Sequence, residues 1–292
     1  MHWRKITLAG VGLLGGSLGL AIKQRRLADR VDGLVRRMAS VSECTRLGVV
    51  DHATRHPARS VEGADLVILC TPIARMREMV ELMRPGLDPG TVVTDVGSVK
   101  GAVVHDLEPL VSSAGAHFVG SHPLAGTEKS GVLAARPDLF DQAWCVLTPT
   151  PRTSADALER VDGFWRALGG RTLHLTPEDH DELVGRSSHL PHIVAAELAN
   201  YVLSPLHPPE QALLCASGFR DTTRIASGSP EMWRDIALAN RKNLMRVLGV
   251  FIEDLDEFRH ALESGDARAI ADFFEEAKQR RDQWCEQGRS PE

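Results

Sequence analysis

His122 stands in Gly120-Ser121-His122-Pro123-Leu124-Ala125-Gly126-Thr127-Glu128-Lys129-Ser130-Gly131, an imidazole set among turn-forming glycines. A neutral imidazole, with an ordinary pKa of about 6.5, accepts a proton readily near neutral pH. The same chain opens with Lys5-Ile6-Thr7-Leu8-Ala9, a short buried strand by pattern. It runs into Gly10-Val11-Gly12-Leu13-Leu14-Gly15-Gly16 and an apolar helix over residues 17–24. Strand, glycine turn and helix in that order form a dinucleotide-binding fingerprint. Gly10 permits the tight turn, Gly12 lets the backbone approach a pyrophosphate, and Gly15 lets the helix pack closely on the strand. The Gly12-Leu13-Leu14 end of the helix then faces the phosphates. A base beside a nicotinamide points to redox chemistry.

The second strand, residues 31–35, should carry an acid at its tip for the adenosine ribose. Val35, Arg36 and Arg37 stand there instead. Guanidinium groups pair bidentately with phosphate, so the reading favours NADP over NAD, with Arg36 as the 2′-phosphate contact. The plainer alternative is a solvated strand exit. Asp32 comes too early in the strand, and on the wrong side of its alternation, to replace the missing acid.

Elements that could position these groups alternate through the first half. Further strands are expected at 64–70, running into Cys70-Thr71-Pro72, at 91–95, 117–120 and 144–148, with a last one at 171–175; helices are expected at 40–47 and 75–83. Such alternation implies an α/β, doubly wound (Rossmann-like), mainly parallel sheet covered on both faces. Ligands then collect at the carboxyl ends of the strands, where Cys70, Thr71, Pro72, Gly97, Ser98 and His122 fall. From about residue 177 the pattern is all-α. A helix over 179–203 should be interrupted by Pro191, a long amphipathic helix opens at Ser229-Pro230 and runs to about 262, and a last helix spans about 266–285. The expected domains are therefore 1–176, dinucleotide-binding, and 177–292, helical. So much apolar helix surface predicts a homodimer built on the second domain.

Composition agrees with a globular enzyme. The 292 residues are 43% hydrophobic and 25% charged, enough for a large core and two domains. A net charge of −5 argues against nucleic acid as a partner. No apolar run reaches transmembrane length, and the first residues enter a strand at once, so a cytoplasmic protein without a signal peptide or membrane partner is expected. Cys44, Cys70, Cys145, Cys215 and Cys285 are scattered, without a CxxC pair, which indicates neither a disulfide framework nor a zinc site.

Six motifs, in order along nearly the whole chain, carry a resemblance. They are Gly10-x-Gly12-x-x-Gly15-Gly16-Ser17, Cys70-Thr71-Pro72, Thr94-Asp95-Val96-Gly97-Ser98-Val99-Lys100, the His122 segment, Ser188-His189-Leu190-Pro191-His192, and Gly218-Phe219-Arg220-Asp221-Thr222-Thr223-Arg224-Ile225-Ala226. Together they resemble the prephenate/arogenate dehydrogenase family of tyrosine biosynthesis. The resemblance implies a nucleotide-binding domain, a helical dimerisation domain and an active site in the cleft between them. It also implies the reaction: oxidative decarboxylation of prephenate to 4-hydroxyphenylpyruvate, with hydride passing to NAD(P)+.

On that resemblance His122 accepts the hydroxyl proton. Ser98 hydrogen-bonds both the substrate hydroxyl and the histidine, against the plainer role of a helix cap. Arg224 binds a substrate carboxylate, which its planar fork matches. Asp221, one turn earlier, orients that arginine or simply pairs with it. Ser188 and His192, four apart on one helical face, contact substrate, while His189 belongs to the fold. Thr127 and Glu128 lie near the substrate side chain and the cleft entrance, although Glu128 could equally pair with Lys129 or Arg220. A metal held by His189, His192 and Asp181 is disfavoured because Pro191 distorts the spacing and the chemistry needs none.

Two features depart from the family pattern. Val35-Arg36 replaces the usual acid, and the chain ends at Glu292, so tyrosine feedback is expected only at the active site, by product mimicry. Prephenate is favoured over arogenate because no acid is clearly placed for the arogenate ammonium. The alternatives are arogenate dehydrogenase, a β-hydroxyacid-type dehydrogenase with a lysine base, and a non-catalytic NADP-binding sensor.

Overall fold

The computed structural model describes residues 2–126 and 129–288. Its elements run β1 (Trp3–Ala9), α1 (Leu13–Gln24), β2 (Ala28–Leu34), α2 (Met38–Arg46), β3 (His52–Thr54), α3 (Pro57–Val61), β4 (Leu66–Leu69), α4 (Ile73–Met83), β5 (Val92–Asp95), α5 (Gly101–Ser112), β6 (His117–Pro123), β7 (Trp144–Thr148), α6 (Ala155–Ala167) and β8 (Arg171–His174). Helices follow: α7 (Pro177–Val184), α8 (Leu190–Val202), α9 (Glu210–Leu213), α10 (Ser217–Thr223), α11 (Pro230–Ala239), α12 (Arg241–Ser264) and α13 (Ala267–Gly288). The sheet order is β3-β2-β1-β4-β5-β6-β7-β8, parallel throughout except between β6 and β7. The expected mainly parallel, doubly wound architecture is thus the one observed.

Both faces of the sheet are buried, which is why its central strands are continuously apolar. Along β4 the side chains alternate: Leu66 and Ile68 join the cluster around Trp3, Leu18, Ile22, Phe164 and Trp165. Val67 and Leu69 join the opposite cluster with Met76, Val80, Val103 and Leu107. Fully burying one such side chain contributes about 1.5–3 kcal/mol, so a one-residue register slip would be prohibitive. Helix starts follow local chemistry. Thr176 accepts from the Asp179 N–H with Pro177 in the first turn, and Ser229 accepts from the Met232 N–H with Pro230 in the first turn, as expected for the latter.

Four expectations need correction. β3 and α3 are absent from the sequence reading, so the strand bearing His122 is the sixth. That strand also does not stop at residue 120: Gly120, Ser121, His122 and Pro123 continue it by pairing antiparallel with Thr148, Leu147, Val146 and Cys145. Pro191 does not interrupt the helix by itself. The irregularity lies just before it, as a π-helical turn over Gly185–His189, and Pro191 falls in the first turn of α8, where its missing N–H costs little. The stretch expected to be one helix from Ser229 to 262 breaks at Asn240, whose side chain donates to the Asp181 carbonyl at 2.8 Å and lies 3.1 Å from His189 Nδ1.

Two compact units emerge, Met1–Arg241 and Lys242–Glu292. In the first, helices α7–α11 go with the sheet. The second holds the bulk of α12 together with α13, on which Phe258 lies 4.5 Å from Phe273, centroid to centroid. Among the described residues no helix is long and apolar enough to cross a membrane.

Candidate active site

β1 has β2 on one side and β4 on the other, so the order of connection reverses there. The crevice at its carboxyl end is where this fold holds a dinucleotide. Gly10 has φ 104°, and a Cβ on it would sit 2.9 Å from the Cys70 carbonyl oxygen. A Cβ on Gly15 would sit 2.0 Å from the Gly10 carbonyl oxygen. Both glycines are demanded by the protein itself. At Gly12 a Cβ meets no atom within 4 Å, so the protein's own packing does not require a glycine there and the backbone is open to a ligand. Across the crevice the Thr71 hydroxyl is buried without a hydrogen-bond partner, a costly state that a polar ligand relieves. These residues fit a dinucleotide. Leu13 and Leu14 open α1 beside that turn, while Pro72 is the N-cap residue of α4. Burial pushes the Cys70 thiol up, so it remains protonated and inert.

Asp32 is buried and spoken for by Lys5 at 3.1 Å and Arg30 at 2.7 Å, which removes it from ribose binding. Arg36 and Arg37 are exposed just beyond β2.

The proton-accepting end is built at a fork. β6 pairs with β5 only as far as Val119 and then turns to β7. Lys100, fully buried, fills the fork: its ammonium grips the Asp95 carboxylate and donates to the Ser121 carbonyl at 2.8 Å. Asp95 also accepts from the N–H groups of Gly97 at 2.8 Å and Ser121 at 3.0 Å. Ser98 therefore follows Asp95 by three residues and His122 follows Ser121 by one, both issuing from groups tied to a single buried ion pair.

His122 is 7% exposed and its Nδ1 lies 2.9 Å from His180 Nε2; His180 Nδ1 in turn lies 2.8 Å from Asp181 Oδ1. A carboxylate only accepts, so His180 carries its proton on Nδ1 and presents a bare Nε2. His122 must then donate from Nδ1, which leaves its Nε2 as the lone-pair acceptor. Asp181 is held in turn by the N–H groups of Lys100 at 2.7 Å and Gly101 at 2.8 Å, at the start of α5. Burial, followed by the His180, Lys100 and His189 charges, holds His122 well below the usual histidine range. Burial likewise lowers His180, against the opposing pull of Asp181. Both rings are neutral at pH 7.

The π-helical turn brings Ser188 and His189 inward. His189 is buried, lies against the backbone of Ser98, and is lowered to about 4, first by burial. His192 receives no help from the Ser188 side chain; its Nδ1 lies 2.9 Å from the Ser188 carbonyl oxygen, and its ring stacks on Trp233 at 3.8 Å. Burial lowers His192 below the usual histidine value, the Ser188 carbonyl opposes this, and Arg224, opening a 3-10 turn after α10, is near enough to lower it further. Asp221 is exposed and makes no ion pair among the described residues, so the i,i+3 pairing with Arg224 is not formed. Thr127 and Glu128 lie outside the described residues. His180 was not singled out from the sequence, and Asp181 only as a disfavoured metal ligand. A His-Asp pair in the first turns of a helix carries no mark of an imidazole 58 positions away.

Two family models tile this architecture: the prephenate dehydrogenase nucleotide-binding domain matches residues 18–174 and the prephenate dehydrogenase dimerization domain residues 176–276. The chain belongs to the prephenate dehydrogenase family. It is 38% identical to the prephenate dehydrogenase of Bacillus subtilis over 280 residues, 95% of this chain and 75% of that one. Among solved structures, prephenate dehydrogenase from Aquifex aeolicus in complex with hydroxyphenyl propionate and NAD+ superposes with a TM-score of 0.90 at 33% identity, covering 97% of this chain and 99% of that one. Synechocystis arogenate dehydrogenase follows at 0.82 and 31%, covering 96% and 100%. As a member of this family the protein is an NAD(P)-dependent oxidoreductase.

Proposed function

We propose that the protein oxidatively decarboxylates prephenate to 4-hydroxyphenylpyruvate, with His122 Nε2 as acceptor of the C4 hydroxyl proton. The observation that carries this is the Asp181–His180–His122 chain, which fixes the tautomer of a neutral buried imidazole. Ser98 orients the hydroxyl toward that nitrogen, and Arg224 pins a substrate carboxylate with its planar fork. His192, held by its stack on Trp233, and Ser188 contact the rest of the substrate. Asp221 governs access beside Arg224, and Thr127 and Glu128 complete the substrate side. Gly10, Gly12, Leu13, Leu14, Gly15, Cys70, Thr71, Pro72 and Gly97 hold the dinucleotide. When bound, its oxidised nicotinamide supplies the hydride acceptor while the ring loses CO2 and becomes aromatic. Arg36 makes NADP the preferred form. The helical domain from residue 177 mediates a homodimer, a reading supported by the match of residues 176–276 to a dimerization domain.

Incubation with prephenate or arogenate and each oxidised cofactor, following absorbance of the reduced nicotinamide, tests substrate and cofactor together. Faster turnover of arogenate would reverse the substrate assignment. His122→Asn is expected to abolish most turnover and leave cofactor affinity nearly unchanged; unchanged turnover would remove His122 from its role.

A further inference from the structure

Some cations around the first strands are neutralised, while others, Arg26, Arg46 and Arg59 among them, make no ion pair among the described residues. Arg4 pairs with Asp65 at 2.7 Å, Arg30 with Asp32 at 2.7 Å, and Arg25 with Asp141. Arg36, Arg37 and Arg55 are also unpaired: all three are exposed, and none pairs with a carboxylate among the described residues. They stand at one place. β3 lies beside β2 in parallel register, Leu34 opposite Thr54, and the Val35 N–H donates to the Thr54 carbonyl at 2.9 Å. Arg55 is therefore set next to the tip of β2, and its Nε donates to the Arg36 carbonyl at 3.0 Å.

That single bond orients the Arg55 guanidinium. It uses one of five N–H donors on the backbone and leaves the four terminal ones for another acceptor. Three like charges at one strand edge repel each other, and no carboxylate among the described residues pairs with them. The tip of β2 is also where this fold places the adenosine ribose, and an acid to accept from its 2′-hydroxyl is missing from Val35.

We propose that Arg55 is a second 2′-phosphate anchor, closing with Arg36 a clamp built from two neighbouring strands and making Arg55 a determinant of cofactor specificity. The inference rests on the NADP reading above and extends it to a residue 19 positions from Arg36. One guanidinium comes from each strand end, and the bond from Arg55 Nε to the Arg36 carbonyl holds the Arg55 fork at the tip of β2 before the ligand arrives. Such preorganisation favours a doubly charged phosphate over a hydroxyl.

The test uses ligands without a nicotinamide on the full chain: calorimetric titration with 2′,5′-ADP and with 5′-AMP, for wild type, Arg36→Ala, Arg55→Ala and Arg55→Lys. Arg55→Ala is expected to weaken 2′,5′-ADP about tenfold and 5′-AMP less than twofold, as a lost charge-assisted contact should. Arg55→Lys, which keeps charge but not the fork, should fall between. Equal weakening of both ligands would reduce Arg55 to a prop for the Arg36 backbone. Full retention in Arg55→Ala, with Arg36→Ala discriminating, would leave the clamp to Arg36 alone. A wild type that binds the two ligands equally would instead overturn the NADP reading, and this inference with it.

Discussion

Replacing Lys100 with methionine removes the ammonium from the fork between β5 and β6 while nearly conserving volume. Lys100 and Asp95 are both wholly buried, so the variant strands a carboxylate in low dielectric. Breaking a buried ion pair by removing one partner costs about 3–5 kcal/mol. Asp95 keeps two backbone donors, Gly97 at 2.8 Å and Ser121 at 3.0 Å, which places the expected loss at the lower end, about 3 kcal/mol. For a unit of this size about 2–4 °C accompanies each kcal/mol, so Tm should fall by about 6–12 °C. The double variant Lys100→Met with Asp95→Asn removes both charges, but its single amide oxygen can accept from only one of the two backbone donors, which bind different carboxylate oxygens. It should recover part of the loss, to within about 2 kcal/mol of wild type, one backbone N–H being left without its acceptor. Denaturant and thermal melts on the three proteins measure this. A single variant that loses under about 1 kcal/mol, or a double that falls as far as the single, would refute the claim that the pair holds the fork. The same variants carry a functional signature. The Lys100 charge disfavours an imidazolium at His122, so its removal should raise the acid limb of the kcat/KM profile toward the ordinary histidine value.

Further outcomes are expected. His189 has a folded value of about 4 against the ordinary 6.5, so as pH falls the unfolded chain binds the proton first. Its contribution to stability, about 3 kcal/mol, is whole above about pH 6.5 and drains away down to about pH 4; His189→Gln should flatten that part of a stability–pH curve, and an unchanged slope would contradict it. Gly15→Ala should destabilise by about 2 kcal/mol or more and lose dinucleotide binding, because the new Cβ meets a backbone oxygen at 2.0 Å. Gly12→Ala, where a Cβ meets nothing within 4 Å, should leave the melt unchanged and weaken only the dinucleotide; a lowered Tm there would mean the protein itself needs that glycine. His180→Phe should keep the ring in place, free the His122 tautomer, and lower kcat with little change in KM for substrate; an unaltered kcat would show that the tautomer needs no partner.

Local signals determined much of this protein from sequence alone. The glycine turn after β1, the apolar run of β4, the Ser229-Pro230 helix start and the motif around His122 are short-range patterns, each legible because its physics is contained within a few neighbouring residues. Tertiary structure decided what depends on who sits next to whom. β3 has three residues, too few for any periodicity, and exists because it adds onto β2; with it comes Arg55, which no spacing rule brings to Arg36. β6 outlasts its expected end because β7 offers a second partner. Asn240 breaks a helix whose periodicity runs straight through, since its amide is drawn to Asp181 and His189. Lys100 and His180 acquire their roles only when the chain folds back and sets a buried charge and a second imidazole against His122. Sequence records residue types at fixed separations along the chain, whereas burial, ion pairing and proton position depend on distances through space, which folding alone establishes.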